Sequence, residues 1–435
     1  MTRPKNALIV QGGGPTAVIN ASLEGIIQAA ERSNLVREAN QKIPLVNRIF
    51  GAVGGMQGLL DRKIIDVGGQ YGMKKETMFG NIIMNTPGHA LGSSRYKLKD
   101  GDLEKIAKIF ADYDIGYFFV IGGNDSMDTA NRLYRYYQKV GGEVVILGVP
   151  KTVDNDLCCM HHSPGFGSAA RYVATSVAEL YLDTISYTMP AVTILEVMGR
   201  NAGWLTAAAV LARECCKGLT NNLLIYLPEK PFDKELFVSQ VKKALKKHGQ
   251  IVIAASEGLR YADGGYLSDT GAVADAFGHK TLGGAGAVLE DIIKTNLNIP
   301  GLKTDAIRAS KLQRVAMHIA SDDDLAEAYM YGVCAVCAAE KGCSGKMING
   351  VRVGRYYGGS TYLGPDQSAE YAMCDLGEVA NKERKVPLEW ITKDGTDVSR
   401  RMVNYLRSVV PANELPRYVC FDRRQVVPPT KRTAE

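Results

Sequence analysis

The stretch GVPKTVDNDL, residues 148–157, places Lys151, Asp154 and Asp156 within six positions, directly after the apolar run Val144, Val145, Ile146 and Leu147. An apolar run without alternation reads as a strand covered on both faces, so the lysine and the two carboxylates stand where a buried strand ends. The stretch VIGGNDSMD has the same design and sets Asn124 and Asp125 at a glycine bend after YFFVIGG. In isolation that bend has a simpler reading, in which Asp125 or Ser126 caps the following helix for about 1 kcal/mol. Taken together, two neighbouring loops would gather Asp125, Asp154 and Asp156 beside Lys151. Carboxylates clustered at strand ends are costly unless a cation or a proton transfer employs them. Phosphoryl transfer supplies such a use: magnesium and a lysine balance charge on the transferred group, while a carboxylate accepts the proton of the attacking hydroxyl.

Further loops carry matching groups, each with a plainer alternative. QGGGPTAVIN follows the apolar NALIV. Its glycines would let main-chain N–H groups approach a phosphate at a helix start, although it lacks both the Walker lysine and GxGxxG spacing, and a simple glycine turn fits equally. LGSSRYK and EVMGRNAGW supply Arg95 and Arg200 beside turn glycines; either could equally be a solvated surface arginine. Glu257 in AASEGLR stands at a strand end, where it could accept from sugar hydroxyls or act as a cap. KLQR offers Lys311 and Arg314 three positions apart, either a second phosphate site or an ordinary basic helix face.

The elements that must position these loops read as α/β with parallel sheets, because short apolar runs alternate with amphipathic helical stretches. After the strand NALIV, the spacing of Ile19, Leu23, Ile26, Ile27 and Ala30 predicts a helix with one buried stripe. YFFVIGG and EVVILGV read as strands. A second set follows in AVTILEVMG, NNLLIYLPE and GQIVIAASEG, with a helix between the last two that Asp233 caps and Gly249 ends. No low-complexity linker separates the two units, so they are expected to share crossing segments and enclose a cleft. In such sheets ligands bind beyond the carboxyl ends of the strands, where all these loops lie. The last ~60 residues are more polar and carry a helix around Val398–Val409.

A chain of 435 residues, 46% hydrophobic and 23% charged, has room for two or three domains. The net charge of +6 is modest, and apart from the tail DRRQVVPPTKR the basic residues are interspersed with acids, which argues against nucleic acid as a partner. No apolar stretch approaches the ~20 residues that span a bilayer, and MTRPKNALIVQGGG has no cleavage-site pattern, so a cytoplasmic protein without membrane attachment is expected. Nine cysteines, with Cys158–Cys159 and Cys215–Cys216 adjacent, suit reduced thiols better than a disulfide framework. Cys334 and Cys337 match CxxC but lie in an apolar helical run, and no second Cys/His pair stands at finger spacing, which predicts core thiols.

With these residues assembled, the sequence resembles the phosphofructokinase family. GGGPTAVIN, LGSSRYK, VIGGNDSMDTA, PKTVDND, PGFGSAA, EVMGR, SEG and LQR fall in family order over roughly residues 7–340. The resemblance implies two Rossmann-like parallel-sheet domains facing a central active-site cleft. These would be residues 1–165 plus about 314–375 for the phosphoryl donor, and 166–313 plus part of the C-terminal segment for the sugar phosphate, with 376–435 as a C-terminal extension. It implies transfer of a phosphoryl group to the C1 hydroxyl of fructose 6-phosphate, a magnesium cofactor and a homodimer or homotetramer. By position, Asp154 matches the general base, with Thr152 and Val153 beside the sugar and Asp156 near the magnesium. Met198, Gly199 and Arg200 match the motif at the sugar phosphate and transferring group. Glu257 matches the sugar-binding glutamate and Arg314 an arginine on the 6-phosphate. Gly14 and Arg95 match donor-phosphate positions.

The donor follows from two positions. Family members using ATP carry glycines where pyrophosphate-using members carry an aspartate and a lysine, and here those residues are Asp125 and Lys151. A carboxylate there crowds and repels a nucleotide's α-phosphate, while a lysine neutralises the departing phosphate. Pyrophosphate is therefore the expected donor and the reaction reversible. Three departures stand out. Asn124 replaces the usual magnesium-binding aspartate, Ala191 and Asp305 replace arginines that many ATP-dependent members present to a neighbouring subunit, and Lys311 replaces a histidine or tyrosine. They keep open a rebuilt acceptor site for another sugar phosphate such as sedoheptulose 7-phosphate. The remaining alternatives are an ATP-dependent kinase of the same fold and a non-catalytic sugar-phosphate-binding regulator.

Overall fold

The computed structural model describes residues 3–71, 82–269, 284–351 and 371–421. The basic tail DRRQVVPPTKR lies outside the described residues.

Among the described residues the strands are β1 (Lys5–Gln11), β2 (Val46–Ala52), β3 (Ile64–Asp66), β4 (Ile115–Gly122), β5 (Val145–Pro150), β6 (Ala191–Val197), β7 (Leu223–Tyr226), β8 (Gln250–Ser256), β9 (Lys303–Arg308), β10 (Lys346–Val351) and β11 (Tyr371–Asp375). They form a seven-stranded sheet in the order β11-β10-β5-β4-β1-β2-β3 and a four-stranded sheet in the order β7-β8-β6-β9. In the larger sheet β1 pairs in parallel with β2 and β4, and β5 with β4 and β10. The smaller sheet is parallel throughout. Every residue of β4 and of β6 is buried, which is why these runs lack polar alternation.

The two edge strands of the larger sheet, β3 and β11, are antiparallel to their neighbours, unlike the parallel pattern expected. Both are short and only partly covered, so neither forms the continuous apolar run that marks the inner strands.

The helices that matter for the site are α1 (Ile19–Ala39), α2 (Asn124–Val140), α3 (Phe166–Thr184), α4 (Lys234–His248), α5 (Asp322–Glu340) and α6 (Arg400–Val409). The expected stripe of α1 is buried, but Asn20, Ser22, Glu24 and Gly25 are buried too, because α5 covers the opposite side. The two helices meet backbone to backbone: a Cβ at Gly25 would lie 2.1 Å from Tyr329 O, and one at Gly332 would lie 2.2 Å from Ser22 O. Asn20 uses its buried amide to fix the segment leading to Arg95, donating to Thr86 O at 2.7 Å and accepting from Ala90 N at 3.0 Å. α4 begins and ends as expected: the Asp233 side chain accepts from Leu236 N at 2.8 Å, and Gly249 takes φ 75°.

The polar C-terminal part is integrated into the core of the smaller sheet. Val386, Ile391, Val398, Met402, Leu406 and Leu415 are buried in the cluster that also holds Phe166, Leu195 and Val252. Cys334 and Cys337 lie in α5, the first buried and the second half-buried, as core thiols. The expectation of reduced cysteines fails at one pair: Cys216 and Cys420 form a disulfide across 204 residues. Spacing gave no sign of it because Cys420 reaches Cys216 only through the parallel bridge between Cys216 and Tyr418. Among the described residues no helix is long and apolar enough to cross a membrane.

Candidate active site

The carboxyl ends of β1, β4, β5, β6 and β8 converge on one cavity of about 630 Å³ between the two sheets. The larger sheet delivers Gly14 after β1, Asn124 and Asp125 after β4, and Lys151, Thr152, Asp154 and Asp156 after β5. The smaller sheet delivers Met198, Gly199 and Arg200 after β6 and Glu257 after β8. Arg95 and Arg314 complete the lining. Two sequence-derived candidates do not line it. Val153 is buried in the core of the smaller sheet. Lys311 is the N-cap residue of the short helix Leu312–Val315 and its carbonyl accepts from Arg314 N at 3.3 Å, but its side chain is exposed and only Arg314 of the pair lines the cavity.

The floor beside β1 and β4 is tightly packed. A Cβ at Gly12 would lie 2.4 Å from Ser126 Oγ, and one at Gly122 would lie 2.1 Å from it, so the first turn of α2 fits only against glycines. Neither Asp125 nor Ser126 caps α2. Gly123 is the N-cap residue and makes no side-chain cap, while Asn124 Oδ1 accepts from Asp125 N at 2.8 Å. Asp125 is thereby left at the cavity wall.

Lys151 is only 4% exposed and crosses from β5 to the first loop, where its Nζ donates to Gly14 O at 2.8 Å. Arg314 approaches the same loop, with Nη1 3.1 Å from where a Cβ of Gly14 would stand. Its Nε is buried with no hydrogen-bond partner among the described residues, a donor suited to an anion.

Burial lowers Lys151 to about 8 despite the opposing pull of Asp154 and Asp156. The same desolvation raises Asp154, with Lys151 and the Thr152 hydroxyl opposing it. Asp156 rises to about 7 through burial and the like charges of Asp154 and Glu383. Glu257 also rises to about 7, through burial and then Asp154. The cavity is thus a charge-dense, poorly solvated place in which burial outweighs the relief that Lys151 gives the recessed carboxylates.

Four groups at the site carried no sequence signal. His89 is lowered to about 4 by burial and by the charges of Lys151 and Arg314, so a neutral imidazole lies behind the first loop. Asn381 and Glu383 line the cavity from the C-terminal segment. Asn381 donates to Asp128 Oδ1 at 2.7 Å, and Glu383 accepts from Asn201 Nδ2 at 3.0 Å.

The fourth is Arg384, which holds the loop carrying the acids. Asn155 has φ 55° and is fully buried, so the chain turns there with Asp154 and Asp156 on either side of it. Arg384 Nη2 donates to Asn155 O at 2.9 Å and to Asn155 Oδ1 at 2.7 Å; Nη1 donates to Met160 O at 2.7 Å and His161 O at 2.8 Å. The Arg384 main-chain N–H reaches Asp156 O at 2.7 Å, and its guanidinium lies 4.6 Å from the Trp204 ring centre. Tyr405 of α6 accepts from Asn155 Nδ2 at 2.7 Å and donates to His161 O at 2.8 Å. A charged arginine within a polar run is the commonest surface pattern, which is why its sequence conceals this role.

Ala191 and Asp305 lie at or near the starts of β6 and β9. Ala191 is therefore a strand length, roughly 20 Å, from the cavity end of β6.

A family profile described as Phosphofructokinase matches residues 6–338. The chain is 38% identical over 421 residues to the pyrophosphate–fructose 6-phosphate 1-phosphotransferase of Methylococcus capsulatus, covering 95% of this chain and 93% of that one. It is 38% identical over 418 residues to the protein of the same name from Halomonas elongata, covering 94% and 93%. The crystal structure of a pyrophosphate-dependent phosphofructokinase from Nitrosospira multiformis superposes with a TM-score of 0.78 at 33% identity, covering 97% of this chain and 94% of that one. Paired parallel sheets closing on one cavity, and similarity along nearly the whole length, have the same explanation: this chain belongs to the phosphofructokinase family.

Proposed function

We propose that this chain transfers a phosphoryl group from pyrophosphate to the C1 hydroxyl of fructose 6-phosphate, reversibly, giving fructose 1,6-bisphosphate and phosphate. The observation that carries the donor is the pairing of Asp125 with Lys151 at one cavity wall, with Lys151 Nζ 2.8 Å from Gly14 O beside the glycine turn. A third phosphate with its nucleoside would have to pass the Asp125 carboxylate, whereas the departing phosphate of pyrophosphate meets the Lys151 ammonium.

Asp154 is the general base. Its raised affinity for a proton brings it closer to the ideal for accepting one from an alcohol near neutral pH. Thr152, whose hydroxyl accepts from Asp154 N at 3.2 Å, holds the base in place. Lys151 and Arg200 stabilise charge on the transferring group, and Gly14 and Arg95 hold the donor. Met198, Gly199 and Glu257 face the sugar; Glu257 Oε1 lies 3.4 Å from Gly199 N, so the two loops act as one wall. Arg314 takes the sugar's own phosphate through its unpartnered donor.

Magnesium fits the acids present, because burial and mutual repulsion raise Asp156 to about 7 and a divalent cation would relieve both. Asp156 would hold it with the neutral oxygen of Asn124, and it would supply charge neutralisation between donor and acceptor. Residues 1–165 with about 314–375 serve the donor, and 166–313 with part of the C-terminal segment serve the sugar phosphate, in a cytoplasmic homo-oligomer. Initial rates with magnesium pyrophosphate against magnesium ATP test the reading: a clear preference for pyrophosphate is expected, and a preference for ATP refutes it.

A further inference from the structure

Away from the cavity, Cys159, Cys374 and Glu378 meet where the loop after β5 touches the edge of the larger sheet. Their ligand atoms all lie within 4.8 Å of one another, and Cys159 Sγ is 3.9 Å from Glu378 Oε2. The three come from separate elements: Cys159 from the loop, Cys374 from β11, and Glu378 from the short helix Leu376–Val379. Cys374 is 7% exposed, while Cys159 and Glu378 are open to solvent. Cys159 takes φ 64°, and its carbonyl is fixed by Asn349 Nδ2 at 2.7 Å, so the thiol is presented by a turn anchored on β10. The proposed phosphoryl transfer uses none of these groups.

We propose that Cys159, Cys374 and Glu378 bind a thiophilic divalent cation of the zinc class, with water in the fourth position. Zinc–sulfur bonds of about 2.3 Å and zinc–oxygen bonds of about 2.1 Å put tetrahedral ligand atoms on the order of 3.6 Å apart, which small side-chain rotations reach from the observed spacing. Without a metal the Cys374 thiol stays protonated, since burial and the neighbouring Cys159 hold it up at about 12. Binding replaces both thiol protons: the cation, two thiols and one carboxylate give a complex of net charge −1 and release two protons. Thiolates select zinc over magnesium, so this site does not draw on the ion that the proposed reaction uses. Cys159 follows Asp156 by three positions, and Glu378 precedes Arg384 by six. A bound cation therefore cross-links the same two segments that Arg384 joins by hydrogen bonds.

The test is a titration of the reduced full-length chain with Co²⁺ in magnesium-containing buffer, followed by displacement with Zn²⁺. One Co²⁺ per chain is expected, with a thiolate-to-cobalt absorption band that Zn²⁺ removes, and Zn²⁺ should protect Cys159 from alkylation. Cys159→Ser, at an exposed position that leaves the core untouched, should abolish the band, as should Glu378→Gln weaken binding, while Cys334→Ser retains both band and stoichiometry. Absence of stoichiometric binding by the reduced chain, or a full band in Cys159→Ser, overturns the assignment.

Discussion

The Arg384 guanidinium grips Asn155 by both its main-chain and side-chain oxygens, at 2.9 and 2.7 Å, across 229 residues of sequence. Asn155 is the residue between Asp154 and Asp156, so a segment near the C-terminus sets the direction of the acids after β5. Removing this grip should act on turnover more than on affinity. Arg384→Ala is expected to lower kcat on the order of 10²-fold, because a base displaced by about 1 Å loses that much. KM for the sugar phosphate should change little. Tyr405→Phe, which keeps the ring and loses the hydrogen bonds, should show a milder form of the same split. Steady-state kinetics checks both, and a loss of Arg384→Ala activity confined to KM would contradict the positioning role.

Asp154→Ala should lower kcat by about 10²- to 10⁴-fold, the usual contribution of a positioned base, with sugar-phosphate affinity nearly unchanged. Near-normal turnover in that variant removes Asp154 from the mechanism.

Asp125→Gly should admit nucleotides. Removing one charge beside a phosphate relieves about 3 kcal/mol of repulsion at intermediate dielectric, or on the order of 10²-fold in ATP affinity. A binding titration of the variant against the parent reads this directly, and unchanged ATP affinity would show that another group excludes the nucleotide.

The pH dependence of kcat/KM should be bell-shaped. Asp154 must be ionised, and its carboxyl is held above the ordinary range, so the rate rises as pH increases through that raised value. Lys151 must keep its proton and sits at about 8, so the rate falls as pH climbs past it. Saturating magnesium should move the rising limb to lower pH by stabilising the ionised acids. Lys151→Arg, which does not titrate in this range, should flatten the falling limb even if its overall rate is lower. A falling limb unchanged in that variant would assign it to another group.

The inner strands and the loops they carry were legible in the sequence because both faces of β4, β5 and β6 are covered, and covered strands must be apolar throughout. The same covering placed Asp125, Lys151 and Asp154 at strand ends, where they line the cavity. Edge strands β3 and β11 were not legible, since half-covered short segments carry no such pattern. Lys311 shows a different limit: three-residue spacing puts it on one turn with Arg314, yet only Arg314 lines the cavity, because spacing within a single turn does not say which side chain points inward. Arg384, Glu383, Asn381 and the partner of Cys216 escaped notice because their meaning lies wholly in distant contacts. A polar segment looks alike whether it is solvated or folded back over a cavity.

The larger sheet is interrupted in sequence by the whole of the smaller one, since β5 ends at Pro150 and its neighbour β10 begins at Lys346. As a ribosome extends the chain, β5 must therefore remain an uncovered edge while nearly two hundred further residues emerge. Such an edge invites pairing with other nascent chains. Chaperone demand during synthesis should accordingly peak in that interval and subside once β10 docks.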